Sequence, residues 1–340
     1  MKALYYPAWT ELDVREVPMP LPNDEEVLLR VASCGVCGSE LETFKSASPR
    51  RTPPLIMGHE FCGVVEEDRG ATGAELAGQR VISHAIVHCG RCPACRRGDT
   101  NLCAERQVFG MHRFGAFAEY VAVPRRILIP WPAGVAASSA IFAEPLANGI
   151  NALRQGSSPR RSRVIVIGAG PIGLMCLFAA KRVYQANVVV SDRLEERLQA
   201  AVLLGADCTV NARQQDLETE VRGHWGGERA EYVIDAVGTA ETKRAALELV
   251  EPGGTVVWVG LHEDQMTLNS YAVTLGQKCV AGSYSGSLDD LKLAARLLAA
   301  PEFDISWATL YPLEQAAKGF RDLLDEKEKK VKAILQFTAV

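Results

Sequence analysis

Residues 162–192 read SRVIVIGAGPIGLMCLFAAKRVYQANVVVSD. The apolar run Val164–Ile167 leads straight into Gly168-Ala169-Gly170-Pro171-Ile172-Gly173, and a second apolar run ends at Asp192. The runs predict strands buried on both faces, and the segment after Pro171 predicts a helix. A G-x-G-x-x-G string by itself is a weak signal. Set between a strand and a helix, with an acid closing the next strand, it has the parts of a dinucleotide site. Gly168 permits the tight turn, Gly170 lets the main chain approach a pyrophosphate, and Gly173 lets helix and strand pack closely. Pro171 opens a helix whose N-terminus faces the anion. Asp192 can accept hydrogen bonds from an adenosine ribose and repels a 2′-phosphate, which favours NAD over NADP. Arg193 follows at once and leaves NADP open. The alternative is a glycine-rich turn that binds nothing.

Working outward, "AEYVIDAVG", "TKRAALELV" and "GGTVVWVGL" continue the alternation of apolar strands and helices. Residues 150–283 therefore read as a doubly wound α/β unit with a parallel sheet covered on both faces. Residues 1–149 differ. Short β-type runs ("EEVLLRVASCG", "FCGVVEED", "QRVISHAIV", "AFAEYVAVP") alternate with turn residues and predict a β-rich domain. The tail, 284–340, returns to mixed α and β. Its charge run "DEKEKKVK" reads as a solvated helix end and turn.

A chain of 340 residues suits two domains of ordinary size. Its net charge of −4 comes with no basic block, so neither a nucleic acid nor an anionic membrane is expected as a partner. The uncharged stretches Val164–Ala180 and Ile127–Ala143 are broken by glycine and proline, so no membrane span is expected. "MKALYYPAWTELDV" has no signal-peptide apolar core, and a cytoplasmic protein is expected. Ten cysteines in that setting point to metal or catalysis before disulfides.

Four of them fall in "HCGRCPACRRGDTNLC", residues 88–103. Cys89, Cys92, Cys95 and Cys103 have the spacing of a loop folded round one tetrahedral Zn²⁺. Four thiolates leave no open coordination position, so this site reads as structural, stapling a lobe (about 88–104) with little core of its own. Two disulfides, or unrelated thiols, are the alternatives. A catalytic zinc needs three protein ligands and one open place. Candidates lie in "CGVCGSE" (Cys37), "MGHEFCG" (His59-Glu60) and "AIFAEPLANG" (Glu144). Individually each is weak, and Cys34–Cys37 also reads as a redox C-x-x-C pair.

Taken in order, "CGVCGSE", "GHE", the four-cysteine lobe, "GAFAEY", "EPLANGINAL" and "GAGPIGLM" resemble the zinc-dependent medium-chain dehydrogenase/reductase family. The resemblance spans essentially the whole chain and is closest to the sorbitol, galactitol-phosphate and threonine dehydrogenase branch. It implies a GroES-like β-rich catalytic domain, 1–149 with 284–340, interrupted by the Rossmann domain, 150–283. It implies two Zn²⁺ per chain. Cys37, His59 and Glu144 are implied as ligands of the catalytic zinc, and Glu60 as the neighbouring carboxylate that coordinates directly or replaces water. Ser39 resembles the family's first proton acceptor. Ile172, Asp192 and Arg197 match cofactor-contacting positions; Val259, Gly260 and Leu261, with Ser283 and Tyr284, match the nicotinamide side. A homodimer or homotetramer is the expected assembly.

Charge arithmetic fits: the Cys37 thiolate and Glu144 carboxylate cancel Zn²⁺, with His59 neutral, and the ion still polarises an alcohol oxygen. Two departures matter. The family often has His three residues after the serine, where this chain has Glu42, so the proton must leave through the cofactor ribose, water or Glu42. Threonine dehydrogenases commonly have His three residues before the first lobe cysteine; here that residue is Ile86, flanked by His84 and His88, which argues against threonine as substrate. His84, His88 and His112 read as ordinary packing or surface residues. The expected function is oxidation of a secondary hydroxyl of a polyol, sugar, sugar phosphate or cyclitol, with hydride passing to NAD. Rival readings are an amino-alcohol dehydrogenase, an aldose 1-dehydrogenase, and a zinc-binding regulatory or redox protein that kept the fold without turnover. Phe44, Arg113 and Phe117 are expected in the substrate pocket.

Overall fold

The apolar run Val164–Ile167 lies in the strand Arg163–Ile167 at the middle of a six-stranded sheet. The computed structural model describes residues 1–68, 76–156, 160–301, 303–325 and 330–337. In chain order the six strands are Arg163–Ile167, Asn187–Asp192, Cys208–Asn211, Ala230–Asp235, Val250–Trp258 and Cys279–Gly282. Every pairing is parallel, and their order across the sheet is 3-2-1-4-5-6. The order reverses between the first and fourth strands. That is the arrangement of a Rossmann sheet, whose ligands bind beyond the carboxyl ends of the strands at the reversal. Ile165, Val189, Val233 and Val256 are fully buried on these strands, as expected for a sheet with both faces covered.

The chain divides into two compact units, Pro145–Gly286 and the pair of segments Met1–Glu144 and Ser287–Val340. In the second of these, a seven-stranded sheet runs Leu128–Pro130, Arg80–Ser83, Glu60–Asp68, Glu26–Gly35, Lys332–Gln336, Ala308–Pro312, with Tyr120–Pro124 also paired to Glu26–Gly35. Glu26–Gly35 is buried along nearly its whole length because strands and side chains cover it on all sides. Val27, Leu29, Val31, Phe61, Phe117 and Leu335 form the surrounding core. The register sets Gly35 opposite Glu60 on one side and Ile334 on the other. The C-terminal strand thus completes the sheet of the N-terminal segment. A small hairpin, Ile86–Val87 with Gln107–Val108, closes the four-cysteine loop. Ala85, Ile86 and Val108 with Met111 form a small apolar cluster around it, and Val87 packs into the main core of the unit.

Two readings of the sequence need correction here. The charge run does not end in solvent: Lys332 opens the C-terminal strand and is 0% exposed. Residues 326–329 of that run lie outside the described residues. The expected pocket residues are also engaged elsewhere. Phe117 is fully buried core, Phe44 packs on Phe320 and Tyr6, and Arg113 is paired with Glu26. Among the described residues no helix is long and apolar enough to cross a membrane.

Candidate zinc centres and nucleotide site

Cys37 closes the loop after the central strand and is the N-cap of the helix Gly38–Ser46. Glu40, one turn in, reaches back so that its Oε2 accepts the Cys37 backbone N–H at 3.0 Å. This fixes the entry of the chain into the helix as a capping box does. The other oxygen, Oε1, accepts the Gly58 N–H at 2.8 Å and lies 2.9 Å from His59 Nδ1. Glu40 is completely buried. Burial opposes its ionisation, but His59, Arg51 and the Cys37 N–H prevail, and its pKa lies below the ordinary glutamate value. Burial likewise favours a neutral His59, yet the charges of Glu40 and Cys37 raise its pKa well above the imidazole range. Because a carboxylate only accepts, Nδ1 carries the hydrogen of this contact, and a cation would take Nε2 by displacing the proton there. A carboxylate behind a histidine in this way orients the ring and raises its basicity as a ligand.

The ligand atoms of Cys37, His59 and Glu60 lie within 4.8 Å of one another. A soft thiolate, an imidazole with its tautomer fixed, and a carboxylate form a donor set suited to zinc. Glu144 is buried at the start of the helix Ala143–Arg154 and stands outside that cluster. Cys34 is fully buried, and burial pushes its thiol well up, so it behaves as a core residue and not as the partner of a redox pair. Ser39 is exposed, and its hydroxyl donates to Cys37 Sγ at 3.3 Å. The Glu42 carboxylate is also exposed and makes no hydrogen bond among the described residues.

Lys332 was not anticipated. Its ammonium is paired with Glu60 Oε2, and both side chains are buried. Burial works against the charge on Lys332, but Glu60 and Cys37 outweigh it and raise its pKa. Gly35 explains how the pair fits. A Cβ there would overlap Glu60 Oε2 and come within 3.0 Å of Lys332 Cε. Only glycine leaves room for an ion pair crossing the central strand. Removing one partner of a buried pair strands the other charge, at a cost of about 3–5 kcal/mol. Lys332→Met should therefore lose about 3 kcal/mol or more in urea unfolding, and adding Glu60→Gln should recover part of the loss. A single variant within about 0.5 kcal/mol of wild type would show that water, not Lys332, balances Glu60.

In the lobe, the four sulfurs of Cys89, Cys92, Cys95 and Cys103 also lie within 4.8 Å of one another. Cys92 Sγ is 3.5 Å from Cys95 Sγ, and Cys89 Sγ is 4.0 Å from it. Tetrahedral zinc with Zn–S bonds of about 2.3 Å requires S···S separations of about 3.8 Å. Disulfide sulfurs would be about 2.05 Å apart. Main-chain N–H groups aim at the cluster: Cys89 N donates to Cys103 Sγ and Cys92 N to Cys89 Sγ, each at 3.3 Å. The N–H groups of Cys95 and Ala104 bring the Cys92 thiol down to about 6. Burial and the neighbouring Cys92 sulfur raise the Cys95 thiol to about 12, so holding four thiolates together requires a cation among them. Of the nearby histidines, His84 Nδ1 is bonded to the Ile86 main chain and His112 Nδ1 accepts the Val108 N–H.

In the nucleotide unit, Gly168 has φ +98° and Gly173 packs against its carbonyl with no room for a Cβ. Gly170 caps the helix Pro171–Tyr184, with Pro171 in its first turn. Asp192 ends the second strand, as expected, but its carboxylate is already engaged. Oδ2 accepts the Ala169 N–H at 2.7 Å, and Oδ1 accepts those of Arg193 and Leu194 at 2.7 and 3.0 Å. Asp192 therefore clamps the glycine turn to the second strand, with Arg197 Nη1 at 3.8 Å. Each oxygen retains acceptor capacity toward a hydroxyl. Val259 and Gly260 donate to the Asp235 carbonyl just past the fifth strand, and Ser283 follows the sixth. Leu261 and Tyr284 are exposed beside them.

Residues 23–133 match the alcohol dehydrogenase GroES-like domain, and residues 171–300 match the zinc-binding dehydrogenase domain. L-galactonate-5-dehydrogenase from Escherichia coli is 31% identical over 331 residues, 96% of each chain. An alcohol dehydrogenase structure from E. coli in complex with NADH superposes with a TM-score of 0.88 at 28% identity, over 99% of both chains. A zinc-binding dehydrogenase structure from Sinorhizobium meliloti bound to NADP gives 0.89 at 30% identity, over 98% of both. The chain belongs to the zinc-type alcohol dehydrogenase family, whose fold joins a GroES-like unit to a Rossmann unit. It is thus an oxidoreductase of the class that acts on CH–OH groups.

Proposed function

We propose that this chain oxidises a secondary hydroxyl of a polyol, sugar, sugar phosphate or cyclitol to the ketone, with NAD as hydride acceptor. The observation that carries the reading is the gathering of Cys37, His59 and Glu60 round one point, with His59 Nδ1 committed to Glu40. Zinc held there supplies Lewis acidity toward an alcohol oxygen, and NAD on the glycine turn supplies the acceptor. We assign Cys37, His59 and Glu60 as the gathered ligands, with Lys332 as the counter-charge of Glu60 and Glu144 as the further carboxylate that can complete or exchange into the set. The four lobe cysteines hold a second, structural zinc. Ser39 takes the proton released from the substrate hydroxyl, because a hydroxyl both receives and donates. The proton then leaves through the cofactor ribose, water or Glu42.

The relative named for action at C5 of a sugar acid supports a secondary hydroxyl on a polyhydroxylated substrate. Asp192 supports NAD, since its anchored charge faces any 2′-phosphate with like sign. The sixth strand, Cys279–Gly282, is an outer strand of its sheet, with Tyr271 and Leu275 exposed in the preceding helical segment. That edge supports pairing with a second copy of the chain. Thiols kept reduced suit a cytoplasmic setting.

The test is NADH formation with polyols, sugar phosphates, cyclitols and threonine. We expect turnover on a secondary polyol hydroxyl and little on threonine. NAD should be favoured in kcat/KM by about tenfold or more, the effect of ~1.4 kcal/mol of repulsion. Light scattering on the same preparation should give two or four times the mass of one chain. A zinc-loaded protein that binds NADH and oxidises nothing would instead be a binding module of the same fold.

A further inference from the structure

Arg51 is 2% exposed, and among the described residues it is in direct contact with no carboxylate. Its charge acts on the buried Glu40 carboxylate and helps keep it ionised. The hydrogen bonds of Arg51 show what else the guanidinium holds. Nε donates to the Gly110 carbonyl at 2.9 Å. Nη1 donates to the Ser39 carbonyl at 2.9 Å and to Thr43 Oγ1 at 3.0 Å, and Nη2 donates to Ser39 Oγ at 3.1 Å. Thr43 Oγ1 in turn donates to the Ser39 carbonyl at 2.8 Å. One planar fork therefore grips both the main chain and the side chain of Ser39.

An exposed serine in the first turn of a helix has several open rotamers. This one is held. Its oxygen has one hydrogen and two lone pairs. Arg51 occupies one lone pair and, having no acceptor and no accessible deprotonated form, can only donate. The hydroxyl hydrogen is directed to Cys37 Sγ at 3.3 Å. One lone pair is left to receive the substrate proton while the hydroxyl hydrogen turns from Sγ to water, the cofactor ribose or Glu42, so Ser39 is neutral before and after. The fixed positive charge beside the oxygen also favours negative charge developing there in passing.

We propose that Arg51 is a positioning residue for the proton step: it fixes the rotamer and donor–acceptor polarity of Ser39 without touching substrate. The proposal rests on the reading above in which Ser39 takes the substrate proton. Lysine cannot replace the fork, since a single ammonium cannot grip carbonyl and hydroxyl with the same planar geometry.

The experiment is a double-mutant cycle on the zinc-loaded chain: wild type, Arg51→Met, Ser39→Ala and the double variant, each with kcat, KM for NAD, zinc content and the solvent deuterium isotope effect on kcat. Arg51→Met should lower kcat on the order of 10²-fold, the cost of a misplaced catalytic group. Its KM for NAD and its zinc content should stay as in wild type, and its solvent isotope effect should rise. The double variant should be no slower than Ser39→Ala alone. Should Arg51→Met fail to fold, Arg51→Lys keeps the charge and runs the same cycle. If the two losses multiply in full, Arg51 acts independently of Ser39 and the proposal falls while the enzyme reading stands. If Arg51→Met loses zinc, the residue is structural and the proposal falls in the same way. If Ser39→Ala retains the wild-type rate, the relay and the role of Arg51 fall together. A wild-type chain that turns over no alcohol overturns both readings.

Discussion

Cys37→Ser and His59→Ala should each abolish measurable alcohol oxidation while leaving a folded chain that still binds NADH. The two clusters divide the labour between chemistry and folding. Cys37 and His59 lie beside a sheet whose core is complete without them: Val27, Leu29, Val31, Phe61 and Leu335 pack regardless of any metal. Losing a ligand there removes chemistry more than stability. A Lewis acid contributes several kcal/mol of charge stabilisation to the reaction, so the rate should fall on the order of 10³-fold or more. Metal analysis should drop from about two zincs per chain to about one, the open site being the one emptied. His59→Ala has a further effect. Glu40 loses its main partner and retains the N–H groups of Cys37 and Gly58, so the helix cap survives. Either variant retaining normal turnover would sink the assignment of this cluster to catalysis.

Cys103→Ser should fail in the opposite way. Cys103 is the fully buried member of the lobe cluster, and its sulfur accepts the Cys89 N–H. Ala85, Ile86 and Val108 with Met111 form a small cluster, and Val87 and Phe109 join the main core of the unit. Metal binding is expected to supply much of the folding energy of the cysteine loop, as structural zinc does in zinc-finger peptides with about 10–16 kcal/mol. We expect poor expression or a melting temperature lower by several degrees, with any surviving folded protein still active. Cys95→Ser should behave alike, because Cys95 Sγ lies near both Cys89 and Cys92. Variants that are stable but inactive would mean that the roles of the two clusters are exchanged.

Features whose parts lie close together in the chain were legible in the sequence. The glycine turn, its flanking strand and helix, and Asp192 sit within one supersecondary unit, so spacing alone carries their geometry. The four lobe cysteines fall within one short loop, which allows little but convergence. Cys37 and His59 were legible as candidates by residue type and by resemblance. The role of Glu40 had a local signal that was passed over: a carboxylate three residues after an N-cap is the pattern of a capping box.

Other features depend on side chains far apart in sequence and could not be read from a charge pattern. Lys332 stands 272 residues from Glu60, in a run that looks solvated. Strand pairing carries it under the central sheet, where the low dielectric makes an unpaired charge untenable and Gly35 leaves room for the pair. Arg51 sits in an arginine-rich segment that looks like surface, and only the approach of Gly110 and Ser39 turns it inward. Asp192 was placed correctly at the strand end, yet its engagement with Ala169 is a contact between neighbouring strand ends. The sequence by itself determined which residue types are offered as candidates for the chemistry and which local turns present them. The tertiary structure decided how the buried charges around them are balanced, because a charge taken out of water must find its partner through space and not along the chain.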